Sequence, residues 1–232
     1  MKFMGSKARY AKEILPIILK DRVPNQWYVE PFVGGGNIID KAIGPRIGGD
    51  VNQYIIAMFK AVQSGWIPPD SISELEYNDI KTRPKQYSQY LVGFVAIGCS
   101  YSGKWWGGYA RGNTSDGRPR NYCLESKNNL LAQCNGLIDI DFRHSSYDQL
   151  FIPSNSIIYC DPPYRGTTGY KIKFNHDTFW SWCDDKISEG HKIFVSEYIA
   201  PPHWKCVWSK EVFNSLTKNT GSKRGIEKLF TR

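Results

Sequence analysis

The amino-acid sequence predicts an α/β fold, a sheet dressed with helices and interrupted by one mostly helical insertion. Three observations carry this. Short apolar runs with strand character alternate with amphipathic helical stretches over most of the chain. A glycine triplet follows the first of these runs, and an acid ends the second about 20 residues later, the interval at which nucleotide-binding α/β units place a carboxylate. Between Pro68-Pro69 and about Leu137 the alternation gives way to helix and irregular basic sequence.

Taken in order, Lys7 to Lys20 reads as an amphipathic helix and Trp27 to Val29 as a short strand. Gly34-Gly35-Gly36 then makes a tight turn that lets backbone approach a ligand closely. A helix is expected to start near Asn37, presenting unpaired N–H groups to an anionic ligand. Pro45 to Gly49 reads as a second strand with Asp50 at its end, followed by a helix from about Gln53 to Val62. The interrupted stretch holds a helix from roughly Pro84 to Cys99 and another from about Leu124 to Gln133. Strands resume at Leu137 to Phe142 and Ile157 to Cys160. A helix at Asp177 to Ser188 and a strand at Lys192 to Ser196 follow. The carboxy-terminal part reads as a hairpin, Trp204 to Trp208 with Ile226 to Thr231 around a basic turn. The simplest partition is one α/β domain of residues 1–66 and 137–232 with an inserted domain of residues 67–136.

The chain of 232 residues is 41% hydrophobic, enough for a substantial core, and its net charge of +8 favours a polyanionic partner as well as solubility. Its 6 cysteines are scattered without a Cys-x-x-Cys pair, and with only 4 histidines neither a zinc site nor a disulfide framework is indicated. A reducing, cytoplasmic compartment fits that pattern. No secretory signal opens the chain, since its first apolar helix is broken by charges and Pro16. No run is long enough to cross a membrane.

The densest chemistry lies at Asp161-Pro162-Pro163-Tyr164, directly after the apolar run Ile157-Ile158-Tyr159-Cys160. A carboxylate can accept a hydrogen bond from an exocyclic amine. The two prolines stiffen the turn and leave carbonyls free, and Tyr164 offers a face for a flat ring. Such residues suit an amino group on a nucleobase; they are also ordinary turn chemistry at a strand's end. Upstream, Tyr28-Val29-Glu30-Pro31-Phe32-Val33-Gly34-Gly35-Gly36 lacks the small residue that a dinucleotide fingerprint needs at Ile39, and lacks Gly-Lys-Ser/Thr of a phosphate loop. Glu30 with Gly34 and Gly36 therefore suits a nucleoside without a phosphate chain, such as S-adenosylmethionine. Asp50 suits a ribose diol, and equally an N-cap for the following helix. Phe32 is a candidate to pack on that ligand, with ordinary core packing the alternative.

Glu-Pro-Phe-x-Gly-Gly-Gly upstream and Asp-Pro-Pro-Tyr downstream resemble the Dam-type DNA adenine-N6 methyltransferases common in bacteria and their viruses. Lys2-Phe3-Met4-Gly5-Ser6-Lys7 is similar to that family's opening aromatic-x-Gly-Gly-Lys, with Ser6 in place of the second glycine. Arg224-Gly225-Ile226-Glu227-Lys228-Leu229-Phe230 looks like its ending. Four separated motifs thus stand in the family's order over nearly the whole chain. The resemblance implies a Rossmann-like, S-adenosylmethionine-dependent methyltransferase sheet with a target-recognition insertion. It implies methyl transfer to the N6 amine of a flipped-out adenine in double-stranded DNA. It also implies cofactor contacts at Phe3, Lys7, Asp50 and Asp161. Asp161, Pro162 and Tyr164 take the catalytic roles, and no metal ligand set is visible or needed.

Target recognition is expected in Tyr101-Ser102-Gly103-Lys104-Trp105-Trp106-Gly107-Gly108-Tyr109-Ala110-Arg111, where aromatics, glycines and cations interleave. Arg118, Arg120 and Asn121 follow. Arginine reads guanine edges, asparagine reads adenine, and cations neutralise phosphate. Trp105 and Trp106 suit stacking on bases or wedging between them, and suit the core equally well. A second basic loop ends in Lys223 and Arg224, placed to touch backbone phosphate or to be a solvated turn. No obligate protein partner is inferred. Two other readings stay open: an RNA or cytosine amine methyltransferase on the same fold, and a catalytically inactive DNA-binding derivative.

Overall fold

The computed structural model describes residues 1–165, 174–213 and 224–232. Its strands are β1 (Tyr28–Glu30), β2 (Arg46–Asp50), β3 (Ile140–His144), β4 (Ile157–Cys160), β5 (Lys192–Ser196), β6 (Lys205–Phe213) and β7 (Arg224–Thr231). They form one 7-stranded sheet in the order β3-β2-β1-β4-β5-β7-β6. The first five pair in parallel, and β7 pairs antiparallel with both β5 and β6. This is an open, Rossmann-like α/β sheet, as the sequence predicts.

Strand alternation sorts the core onto two faces. Tyr28, Ile157, Tyr159, Phe194 and Leu229 point to one cluster, packed by the helices α1 (Ala11–Ile18), α2 (Gln53–Gln63), α4 (Gln89–Gly98) and α5 (Tyr122–Leu137). Val29, Ile158, Cys160, Ile193, Val195 and Phe230 point to the other, covered by Phe179, Trp180 and Cys183 of α6 (His176–Ser188). Being covered on both faces, β1 and β4 are buried at every residue, which explains the unbroken apolar sequence of β4. Residues of the 67–136 stretch, among them Tyr77, Phe94, Val95 and Leu130, share the first cluster with the sheet.

Several elements differ from the sequence reading. The helix expected near Asn37 is only a 3₁₀ turn, Ile39–Lys41. Gly44 and Pro45 close that segment before a helix can pay back its nucleation cost. Asp50 does not cap α2; Asn52 does, its side chain accepting from the Tyr54 N–H. The first helix begins at Ala11 after a 3₁₀ turn, Ala8–Tyr10, and ends at Ile18. A helix absent from the sequence reading, α3 (Glu74–Thr82), starts with a complete capping box between Ser73 and Glu76. In the carboxy-terminal hairpin β6 runs on to Phe213 and β7 begins two residues earlier, at Arg224. All 6 cysteines are free thiols, and no helix among the described residues is long and apolar enough to cross a membrane.

Candidate active site

Strand order reverses between β1 and β4, because the chain builds outward from β1 through β2 to β3 and then returns to start β4 on β1's other side. In open α/β sheets a crevice forms at such a point, outside the carboxyl ends of the strands. Glu30 ends β1, the glycine turn follows it, and Asp161 follows the last residue of β4. Three of the sequence-predicted features therefore converge on one edge.

The glycine turn depends on backbone angles that favour glycine. Gly34 and Gly36 have φ of 47° and 64°, a region in which side chains other than glycine are strained. The Gly34 N–H donates to Asp50 Oδ2 at 3.0 Å, and the Asn52 N–H to Asp50 Oδ1 at 2.8 Å. Asp50 thus ties the end of β2 to the turn. Burial raises its carboxyl, and these backbone donors draw it back. On the other side, Gln133 of α5 donates to the carbonyls of Gly35 and Gly36 at 3.2 and 2.8 Å.

The segment Met1–Lys7 crosses this turn. Phe3 lies on it so closely that a Cβ on Gly35 would sit 2.7 Å from the Phe3 Cβ. Asn37 holds the segment by donating to the Met1 carbonyl and to Ser6 Oγ, at 3.0 and 2.9 Å. Its far end delivers Lys7, whose side chain is 8% exposed, to Asp161: Nζ stands 3.0 Å from Oδ1. Lys7 Nζ also lies 3.7 Å from Glu227 Oε2 and 4.5 Å from the centre of the Tyr164 ring. Tyr164 donates to Glu227 at 2.9 Å.

The electrostatics follow from this packing. Burial pushes the Asp161 carboxyl up, Lys7 pulls it down, and Glu227 pushes it up again. Burial would lower the Lys7 ammonium, yet Asp161 and Glu227 hold it above its ordinary value. Glu30 is buried, accepts from the Tyr28 hydroxyl at 2.7 Å, and has its carboxyl pushed well up by burial. Pro162 is buried. Glu197, at the end of β5, accepts from the Arg165 N–H at 2.8 Å and so anchors the chain leaving the Asp-Pro-Pro-Tyr turn.

Not every candidate lies here. Phe32 stacks on Tyr147 at 5.3 Å and meets Phe174 and Phe179 edge-on, in the α6-side core. Trp105 stacks on Tyr54 and Trp106 packs edge-on against Tyr77, both half-buried against the other core. Lys104 is exposed. Arg111 pairs with Glu74, Arg118 with Asp116, and Arg120 with Glu125 while lying 4.7 Å over the Tyr122 ring. Asn121 caps α5 and donates to the Asp70 carbonyl. Lys223 lies outside the described residues, and so does the Arg224 side chain, although Arg224 opens β7. The roles of Glu227, Gln133, Asn37 and Glu197 go unread in the sequence, because each depends on contacts between distant segments.

The chemistry of the residues suits a nucleoside-sulfonium ligand: a glycine turn with the Phe3 ring packed on it, a carboxylate at Asp50 and a buried carboxyl at Glu30. No curated protein matches the chain. Among solved structures, the candidate methyltransferase yhhF from Escherichia coli aligns at 11% identity and a TM-score of 0.36, covering 97% of this chain and 85% of that one. Residues 3–93 match the model of the D12 class N6 adenine-specific DNA methyltransferases, the family to which the four sequence motifs point, and the match supports methyltransferase activity.

Proposed function

We propose that the chain transfers a methyl group from S-adenosylmethionine to the exocyclic N6 amine of a flipped-out adenine within a short sequence of double-stranded DNA. The observation that carries this reading is Asp161 at the switch point, its carboxyl paired at 3.0 Å with Lys7 of the segment that crosses the glycine turn.

Phe3, Lys7, Glu30, Gly34, Gly36 and Asp50 would hold the cofactor, with Phe32 supporting the wall from behind. S-adenosylmethionine, when bound, supplies an electrophilic methyl on a sulfonium. Adenine's amine is a poor nucleophile because its lone pair is delocalised into the ring. Asp161, accepting from one N6–H, and the Pro162 carbonyl, accepting from the other, would localise that pair and aim it. Alignment and fixed charge are then the main contributions, and no strong base is needed. Burial makes Asp161 a better proton acceptor than an exposed aspartate, so it is suited to take the proton that N6 loses after transfer. Extruding the base costs a few kcal/mol, on the order of one lost base pair with its stacking, and stacking on Tyr164 would offset part of this. Lys104, Arg111, Arg118, Arg120, Asn121, Lys223 and Arg224 are assigned to the duplex.

Incubation with methyl-labelled S-adenosylmethionine and duplexes that contain or lack adenine tests the reading. Label is expected in N6-methyladenine alone. Label in adenine-free DNA or in RNA would replace the substrate, and DNA binding without any transfer would replace the activity.

A further inference from the structure

We propose that Glu227 is a positioning residue of this site, a carboxylate that reaches from β7 past β5 to fix the Tyr164 ring and the Lys7 ammonium relative to Asp161. The inference rests on the functional reading above and adds a residue to it. Glu227 Oε2 is the meeting point: it accepts from the Tyr164 hydroxyl at 2.9 Å and lies 3.7 Å from Lys7 Nζ. With its hydroxyl tethered, the Tyr164 ring is held with the ammonium 4.5 Å from its centre and meets Tyr198 edge-on at 4.6 Å. The side chain of Glu227 is 14% exposed. Strand alternation sets it on the same face as Leu229, in the core with Tyr159 and Phe194.

Nothing in a β-strand's own pairing calls for a carboxylate there. A group largely removed from water is costly unless it is paired, and the partners of Glu227 are two residues assigned to the reaction. Two carboxylates therefore share one ammonium. The groups facing Lys7 are Asp161, Glu227, Tyr164 and Tyr198. Those acting on Asp161 are Lys7, Glu227 and Tyr164, and Asp161 in turn acts on Glu30 and Tyr159. The excess negative charge at the turn favours a substrate amine that gains positive character as it reacts. A role limited to finishing β7 would need none of these contacts.

The test is a ¹³C-carboxyl aspartate titration of the full chain, with the Asp161 resonance assigned by its loss in Asp161→Asn. Glu227→Gln keeps an oxygen for Tyr164 but removes the charge. The Asp161 midpoint is expected to fall by about half a pH unit or more, since a like charge sharing the same ammonium raises a carboxyl. An unmoved midpoint overturns the inference. Should Glu227→Gln be too unstable to titrate, Glu227→Asp keeps the charge but withdraws it by one methylene. It is expected to give a smaller fall, and no fall again overturns the inference. In methyl transfer, Glu227→Ala is expected to lower kcat about tenfold with KM for DNA unchanged, and Glu227→Gln to recover only the part that comes from the bond to Tyr164. Loss in KM alone would overturn the positioning role. If the wild-type chain transfers no methyl to adenine, the functional reading fails by itself, while the Asp161 titration still decides whether Glu227 governs this cluster.

Discussion

Lys7 Nζ and Asp161 Oδ1 are 3.0 Å apart, so the segment that crosses the glycine turn and the turn that closes β4 form one electrostatic unit. Three elements distant in sequence, counting β7 through Glu227, meet at this ion pair.

Breaking a buried pair from one side leaves a charge without compensation, typically at about 3–5 kcal/mol. The two sides are unequal here. After Asp161→Asn, Lys7 still has Glu227; after Lys7→Met, Asp161 faces only Glu227 and other acidic or neutral groups. Denaturant unfolding at pH 8 is expected to show a larger loss for Lys7→Met, about 3 kcal/mol, than for Asp161→Asn. The Lys7→Met deficit is expected to shrink as pH falls and Asp161, whose carboxyl burial already raises, takes a proton. Equal losses, or a deficit independent of pH, would contradict this account of the pair.

Glu30 gives a prediction of opposite sense. Its folded carboxyl lies well above its ordinary value because it is buried. Between the unfolded and folded values the folded state holds one more proton. The stability tied to Glu30 is therefore fully present below the unfolded pKa and is lost as pH rises toward the folded one, with a limiting slope of about 1.4 kcal/mol per pH unit. Glu30→Gln should remove that slope. The stability advantage of the variant over wild type is expected to grow from pH 5 to pH 8, while its affinity for S-adenosylmethionine falls. Parallel stability curves would show that Glu30 ionises in the fold as it does in the unfolded chain.

Arg111, Arg118 and Arg120 each rest against an acid on the protein's own surface. Exposed pairs of this kind are weak and easily exchanged, so phosphate or a base edge can take the arginine over. Neutralising the acids, in Glu74→Gln together with Glu125→Gln, is expected to tighten duplex binding about three- to tenfold at low salt, with the gain fading as salt rises. Arg111→Ala or Arg120→Ala is expected to change which sequences are methylated more than it changes cofactor affinity. Unchanged DNA affinity in the double variant would place this face away from the duplex.

Much of the frame was legible in the residues themselves. The strands Ile157–Cys160 and Lys192–Ser196 stand where their apolar runs place them, because a fully buried strand has no other composition to offer. The Asp-Pro-Pro-Tyr turn and the glycine turn were found for the same reason: their chemistry is local. What was not legible depends on competition or distance. The short stretch after the glycines has helix-compatible residues, but Gly44-Pro45 arrives too soon. The helix α3 is weakly amphipathic, although its Ser73-x-x-Glu76 capping box was available as a signal. Glu227 stands in the quoted closing motif, yet its partner Tyr164 lies on another element, and no spacing rule joins them.

The loop proposed to meet DNA is also tied to the segment that meets Asp161. Gly103 accepts from the Met4 N–H at 3.1 Å, and its φ is 66°. A Cβ there would fall 2.9 Å from the Lys2 carbonyl oxygen. Gly103→Ala is expected to destabilise the fold by about 1–2 kcal/mol through backbone strain and that clash. It is also expected to weaken S-adenosylmethionine binding, measured by calorimetry, although Gly103 is not assigned to the cofactor. Loss of DNA binding with intact cofactor binding would show that the loop and the amino-terminal segment act separately.

Single-turnover transfer to a duplex containing adenine, compared between the wild-type chain and Asp161→Asn, bears most directly on the role of this site. The wild type is expected to place the methyl on N6. Asp161→Asn is expected to be slower by about 10² or more, the usual loss when one preorganised electrostatic contact to the reacting group is removed, with duplex affinity within a few fold. Near-normal turnover by Asp161→Asn would contradict the assignment of that carboxylate to the reacting amine.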